Sequence, residues 1–308
     1  MKDLLSLRYW NKAIVDDLIS HTYKIKKNPE KYFETLKNKT MLMIFEKPSL
    51  RTRVSFEVAM TQLGGHAIFM DAKDAPLGKK ETIEDTAKTS SRYCDVIMAR
   101  LFKQEYLEIL ANNAKVPVIN GLTDIFHPCQ ILSDLFTIYE KKGNLAGLKL
   151  CFVGDGNNNI THSLLLGCTT VGMNISIGCP KKHNPLWRVI DLAEKKAKKS
   201  ESKIEVINDA KKAVKDADIV YTDSWMSYHI PKTQEKERIK IFKPFQVNKG
   251  LMKCAKNNAI FMNCLPAMRG YEQTAEVIDG KQSIVFDQAE NRLHMQKAII
   301  LELLGKIK

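Results

Sequence analysis

Short apolar runs alternate with helix-like stretches along the whole chain, and this alternation is its strongest constraint on fold. In the first half the runs lie at 41–45, 67–70, 96–99 and 116–119. Helical spacing marks 16–23, 54–63, 83–90 and 131–141, and in the last of these Ile131, Leu132, Leu135, Ile138 and Tyr139 recur on one face. The string Lys142-Gly143-Asn144-Leu145-Ala146-Gly147 breaks the pattern. A second series follows, with apolar runs at 148–153, 174–178, 203–206, 219–222, 259–263 and 283–286. Helix-like stretches at 163–171, 186–198 and 211–216 separate them, and 291–304 closes the chain as an amphipathic helix. Strands alternating with helices predict an α/β fold of two domains, 1–143 and 144–290, each a parallel β-sheet flanked by helices.

Bulk properties agree. A chain of 308 residues is long for a single core, and 44% hydrophobic with 27% charged residues fits a soluble globular protein. No apolar run approaches the ~18–20 residues that span a bilayer. The N-terminus lacks the apolar stretch of a secretory signal, and the seven cysteines are scattered without C-x-x-C spacing. A reducing cytoplasm and no structural zinc are expected. The net charge of +13 fits either a nucleic-acid binder or a lysine-rich protein with an anionic small substrate. The lysines concentrate in helix-like stretches such as Glu194-Lys195-Lys196-Ala197-Lys198-Lys199, without an aromatic stacking platform, which favours the second.

Open parallel sheets bind ligands beyond the carboxyl ends of their strands, and the unusual polar strings sit at such ends. Ser49-Leu50-Arg51-Thr52-Arg53 follows the first run, across a turn at Lys47-Pro48. A helix beginning there would aim backbone N–H groups, hydroxyls and guanidiniums at one point, as an oxyanion site requires. Taken alone, the string would more often be a capped helix start with solvated arginines. Arg100 and His127-Pro128-Cys129-Gln130 follow later strands and supply further cations and donors without a carboxylate. That set suits a phosphate beside a carbonyl oxygen, with His127 as a neutral donor, its pKa lowered by nearby arginines. The second half offers Asn158, Asn159, Asp223, Ser227 and Cys264, a carboxylate and amides suited to an amine or amino acid. Cys264 has no base adjacent in sequence, so contact with substrate is favoured over nucleophilic attack, and a small buried residue is the plain alternative. Gly154-Asp155-Gly156 begins like a dinucleotide fingerprint, but Asn159 stands where the third glycine belongs.

Ser49-x-Arg51-Thr52-Arg53, Arg100, His127-Pro128-x-Gln130, Asp223-x-x-x-Ser227, Cys264-Leu265-Pro266 and Phe286-Asp287-Gln288-Ala289-Glu290-Asn291-Arg292 together resemble the aspartate/ornithine carbamoyltransferase family, most closely its ornithine branch. Gly64-Gly65-His66, Glu81-Thr82-x-x-Asp85-Thr86 and Gln246-Val247-Asn248 extend the resemblance over essentially the whole chain. It implies transfer of the carbamoyl group of carbamoyl phosphate to the side-chain amine of L-ornithine, giving L-citrulline and phosphate. It implies that Ser49, Arg51, Thr52, Arg100, His127, Gln130, Leu265 and Arg292 hold carbamoyl phosphate. Asn159, Asp223, Ser227, Tyr228 and Cys264 would hold the amine, and Arg51, Thr52, Arg100, His127 and Cys264 would be catalytic. No metal or organic cofactor is implied. The resemblance further implies a cytoplasmic homotrimer, with residues 71–80 reaching a neighbouring subunit and the final helix, 291–308, packing on the first domain. Neither nucleic acid nor membrane is an implied partner.

Three positions depart from the family pattern. Tyr228-His229 stands where Met-Gly is usual, Asn263 where a histidine precedes the cysteine, and Met268 where a histidine is common. All lie on the amine side. They keep open another acceptor, putrescine or a different diamino acid, and a catalytically silent ligand-sensing homologue. Retention of Arg51, Arg100, His127, Cys264 and Arg292 argues against the latter.

Overall fold

The computed structural model describes residues 2–73, 77–226 and 230–307. In chain order its elements are α1 (Lys12–Lys27), β1 (Thr40–Phe45), α2 (Leu50–Gln62), β2 (His66–Asp71), α3 (Ile83–Ser90), β3 (Val96–Arg100), α4 (Gln104–Asn113), β4 (Val118–Leu122) and α5 (Pro128–Lys142). Then come β5 (Lys149–Val153), α6 (Asn159–Val171), β6 (Asn174–Gly178), α7 (Trp187–Ser200), β7 (Ile204–Ile207), α8 (Ala210–Val214) and β8 (Ile219–Thr222). The series ends with α9 (Glu235–Phe242), α10 (Lys249–Met252), β9 (Ile260–Asn263), α11 (Ala275–Ile278) and α12 (Val285–Leu303). Two compact units result: Met1–Tyr9, Ala13–Phe136 and Glu290–Lys308 form one, and Trp10–Lys12 with Thr137–Ala289 the other.

The first unit holds a parallel sheet of order β2-β1-β3-β4, and the second one of order β7-β6-β5-β8-β9. Helices flank both, which is the α/β class expected from the alternation. In each sheet the chain starts centrally, builds to one side and then crosses to the other. The order therefore reverses between β1 and β3, and again between β5 and β8. A crevice opens at the strand ends of such a switch point. The loops after β1 and β3 contain Lys47, Ser49 and Leu101, and those after β5 and β8 contain Gly154 to Asn158 and Asp223.

The central strands are apolar because both faces are covered. Every residue of β3 is buried, as are Met41, Met43, Ile44 and Phe45 of β1. Helix α2 buries Phe56, Ala59 and Met60, so its N-terminal turn has a rigid base. Truncating Phe56 to alanine should cost about 3–5 kcal/mol. Helix α6 is buried from Ile160 to Val171, and Gly172 ends it at φ +80°, a left-handed cap that favours glycine.

The expected strand at 283–286 does not form. Ser283 makes an isolated bridge to Phe261, with Phe261 N–H donating to Gln282 O (2.7 Å) and Ile284 N–H to Phe261 O (3.1 Å). These bonds cover the edge of β9, and the chain turns into α12 at Val285. Arg292 therefore sits in the third turn of that helix rather than opening it. Among the described residues, no helix is long and apolar enough to cross a membrane.

Candidate active site

In the first unit the site is built on two helix starts, one strand end and the third turn of α12. Ser49 caps α2 in an extended conformation, its Oγ accepting from Thr52 N–H (3.3 Å). The N–H groups of Leu50 and Arg51 open that helix, and the Arg51 side chain stands at the same terminus, where an anion is favoured. Arg53 is committed elsewhere: it pairs with Glu57 (2.9 Å) and lies 3.7 Å from the Phe69 ring centroid. Arg100 closes β3 at 5% exposure, and its carbonyl accepts from Glu46 N–H (3.0 Å), tying the loop after β1 to β3.

Helix α5 begins at Pro128, which sets His127 just outside its first turn and Gln130 inside it. Arg292 of α12 donates to Gln130 Oε1 (2.6 Å) and to Thr52 Oγ1 (3.4 Å), while Gln130 Nε2 donates to Asp134 (2.8 Å). Thr52, Gln130 and Arg292 are thus one buried network. Lys47, which motif reading passed over as a turn residue, is 2% exposed with its ammonium 4.6 Å from the Phe102 ring centroid. Burial, then the charge of Arg100, lower its pKa to about 8. His127 is also buried, and burial, with the charges of Arg292, Arg100 and Lys47, holds its pKa well below the ordinary imidazole value. At neutral pH it is a neutral ring able to donate to a carbonyl oxygen.

The second unit presents a different chemistry. Asn158 caps α6, its Oδ1 accepting from Thr161 N–H (2.8 Å), and the half-buried Asn159 is the first helical residue. Asp155, buried just before them, accepts from Arg238 of α9 and lies 3.6 Å from His183 Nδ1. Burial alone would raise the Asp155 pKa, but hydrogen bonding from His183 and the Arg238 guanidinium bring it below the usual carboxylate value. Arg238 Nε also donates to Trp225 O (2.7 Å), and the guanidinium lies 4.8 Å from the Phe242 ring centroid. One cation thereby fixes both the loop after β5 and the loop after β8. Gly156 is explained by packing: a Cβ there would meet His183 O at 2.5 Å.

Asp223 follows β8, and Cys264 follows β9. The Cys264 thiol donates to Asp223 Oδ1 at 3.3 Å, bringing together two residues 41 positions apart in sequence. Leu265 has φ +55°, a left-handed conformation that a branched side chain rarely adopts. Glu272 is 1% exposed, and burial, with some help from the Asp223 charge, raises its pKa to about 7. Ser227 and Tyr228 fall outside the described residues. Sequence reasoning also missed Arg238, Glu272 and Gln273, whose signals are single residues in unremarkable strings.

A polybasic pocket beside a neutral histidine can bind a dianion and polarise an adjacent carbonyl. A carboxylate–thiol pair can bind an amine. Comparisons with known proteins point the same way. Residues 2–140 match the family described as aspartate/ornithine carbamoyltransferase, carbamoyl-P binding domain, and residues 146–303 match its Asp/Orn binding domain. An ornithine carbamoyltransferase of Pyrococcus horikoshii is 49% identical, covering 100% of this chain and 97% of its own. One of Pyrococcus furiosus, described as anabolic, is 49% identical over 100% of this chain and 98% of its own. The solved ornithine carbamoyltransferase of Pyrococcus furiosus superposes with a TM-score of 0.96 at 48% identity, covering 100% and 98% of the two chains. The ornithine transcarbamoylase of Giardia lamblia gives a TM-score of 0.91 at 40% identity, covering 100% and 99%.

Proposed function

The chain belongs to the aspartate/ornithine carbamoyltransferase family, and from that premise we propose that it transfers the carbamoyl group of carbamoyl phosphate to the side-chain amine of L-ornithine, yielding L-citrulline and phosphate. The observation that carries the phosphate half is the positive surround of a neutral His127. Ser49, Arg51, Thr52, Arg100, Gln130 and Arg292 hold the phosphate, with the backbone at Leu265 assisting at the carbamoyl group. Arg51, Thr52, Arg100 and His127 donate toward the carbonyl oxygen as it gains charge. Asn159, Asp223, Ser227 and Tyr228 receive the amino acid, and Cys264 lies by the attacking nitrogen. The neutral amine attacks the carbonyl carbon, a C–N bond forms, the C–O bond to phosphate breaks, and the proton lost by the nitrogen is taken up by the departing phosphate.

Carbamoyl phosphate binds first, since the first unit's cations need an anion before the acceptor is held. Residues 1–143 with the C-terminal helix serve carbamoyl phosphate, and 144–290 serve the amine. The working form is a cytoplasmic homotrimer. The test is a ureido-product assay with carbamoyl phosphate against ornithine, putrescine and other diamino acids, alongside thermal shifts. Ornithine should be carbamoylated fastest. Inorganic phosphate alone should raise the Tm by mass action, and ornithine alone should do much less. Full stabilisation by ornithine without any phosphate ligand would overturn the ordered scheme.

A further inference from the structure

Asn263 departs from the family pattern at the residue before Cys264, and it is fully buried with its amide used at both ends. Its Oδ1 accepts from Leu265 N–H (2.8 Å), and its Nδ2 donates to Gln273 Oε1 (3.0 Å). Gln273, also fully buried, passes the chain on through Nε2 to Met268 O (3.2 Å). On the other side Gln288 Oε1 accepts from Asn263 N–H (3.0 Å), while Gln288 Nε2 donates to Tyr221 Oη (3.0 Å). The donor at Leu265 requires an acceptor opposite it, so the orientation of each amide follows from its neighbours. The segment beyond is itself held, because Gln246 Nε2 donates to Gly270 O and Tyr271 O (2.7 Å each) and Val247 N–H to Glu272 O (2.9 Å).

We propose that Asn263 and Gln273 form a neutral amide relay that positions the Cys264–Leu265 turn for carbamoyl transfer, in place of the histidine usual in the family. The inference rests on the carbamoyltransferase reading above. The turn needs a positioning device because Leu265 is left-handed without being glycine, and the N–H of Leu265 is where the relay grips it. A histidine fills the same two roles only while neutral, one ring nitrogen accepting and the other donating. Protonated, it has two donors and no acceptor for Leu265 N–H. An amide does not titrate, so the grip holds across that range. The ionisable groups nearest the turn are Cys264, Asp223, Glu272 and Tyr221, and each variant is compared with wild type at every pH to cancel their contribution.

Gln273→Leu keeps the volume but removes the acceptor of Asn263 Nδ2. It should lower kcat for citrulline formation by about 10–100-fold, the scale of a small misplacement at a reacting centre. Inhibition by inorganic phosphate should stay within about twofold, since phosphate is held by the first unit. Asn263→His should act as the conservative rescue: near wild-type kcat at pH 8, with the variant-to-wild-type ratio falling about tenfold toward pH 5.5 as the ring protonates. Independently of activity, iodoacetamide alkylation of Cys264, measured against Cys254 in the same molecule, should accelerate in Gln273→Leu as the thiol leaves Asp223. Unchanged kcat and unchanged Cys264 alkylation in Gln273→Leu would overturn the relay, as would a flat pH ratio for an active Asn263→His. If wild type makes no citrulline, the enzymatic reading fails, and the alkylation experiment still decides whether the relay holds the turn.

Discussion

Two buried groups report opposite fields in the two halves of the molecule. In the first unit His127 is driven toward neutrality by burial and by Arg292, Arg100 and Lys47. In the second, Glu272 is driven toward neutrality by burial, with Asp223 adding to it. Burial acts on both, but the added charge is positive in one case and negative in the other. The handling of arginine differs in the same sense. Arg292 donates to the neutral Gln130 and Thr52, whereas Arg238 is paired with the buried carboxylate of Asp155. In one region three cations surround a neutral histidine, and in the other a cation meets a buried carboxylate and fixes two loops.

The sharpest way to break this comparison is to remove each arginine type and watch different quantities. Arg238→Leu would leave Asp155 buried without its cation. Stability should fall by about 3–5 kcal/mol, read from denaturant unfolding, because an uncompensated buried charge is costly. In the surviving native protein KM for ornithine should rise while inhibition by inorganic phosphate is little changed, since the loops carrying Asn159 and Asp223 lose their common anchor. A variant with wild-type stability would show that Asp155 and Arg238 are not the structural pair described.

Arg51→Ala should do the reverse. Arg51 is half-exposed at a helix start and carries little packing, so unfolding should be nearly unchanged. On the assignment proposed above, loss of this charged donor should cost about 3–4 kcal/mol or more in kcat/KM. Near wild-type turnover would remove Ser49–Arg51 from the carbamoyl-phosphate site.

Glu272→Gln tests the negative field. The native carboxyl has a pKa of about 7 against an ordinary 4.5, so the native state binds the proton more tightly than the unfolded chain. Wild-type stability therefore declines as pH rises from about 4.5 through 7 and levels off above. Glutamine has no such loss. The variant should gain on wild type by up to about 3 kcal/mol at pH 8, by less than about 1 kcal/mol at pH 5, and essentially nothing below about pH 4. Equal differences at the two pH values would mean that Glu272 is not raised.

Legibility in the sequence followed the same divide. The proposed phosphate corner is contiguous: Ser49, Arg51 and Thr52 lie within one helical turn, and their residue types alone suggest an oxyanion. The parallel sheets were legible because strands buried on both faces are apolar along their length, as β3 is from Val96 to Ala99. Lys47 was missed because only burial distinguishes it from a surface lysine. The Asp155–Arg238 and Asn263–Gln273 pairs were missed because each joins residues whose separate strings say nothing of the other. The apolar string at 283–286 misled because one bridge at a sheet edge has the same composition as a strand. Helix α4 went unread although Leu107, Leu110 and Ala111 repeat at helical spacing.

The smallest effect concerns Tyr228-His229, read from sequence alone because these residues lie outside the described ones. Their replacement of Met-Gly is the strongest sequence argument for an altered acceptor. The argument for ornithine is polar matching: Asp223 suits an ammonium, and Asn159 an end that putrescine lacks. A site built to hydrogen-bond a group discriminates by up to about 10⁴-fold against analogues without it, whereas reshaping an apolar wall changes preference by about 10–200-fold. Polar matching should therefore dominate. Replacing Tyr228-His229 with Met-Gly should leave ornithine first among acceptors and change its kcat/KM by less than about tenfold, upward if the tyrosine crowds the pocket. Competition between ornithine and putrescine in one reaction, with products resolved by mass, measures both preferences at once. If wild type favours putrescine and the exchange restores ornithine, the loop sets the acceptor and Asp223 with Asn159 do not, while carbamoyl transfer itself stands.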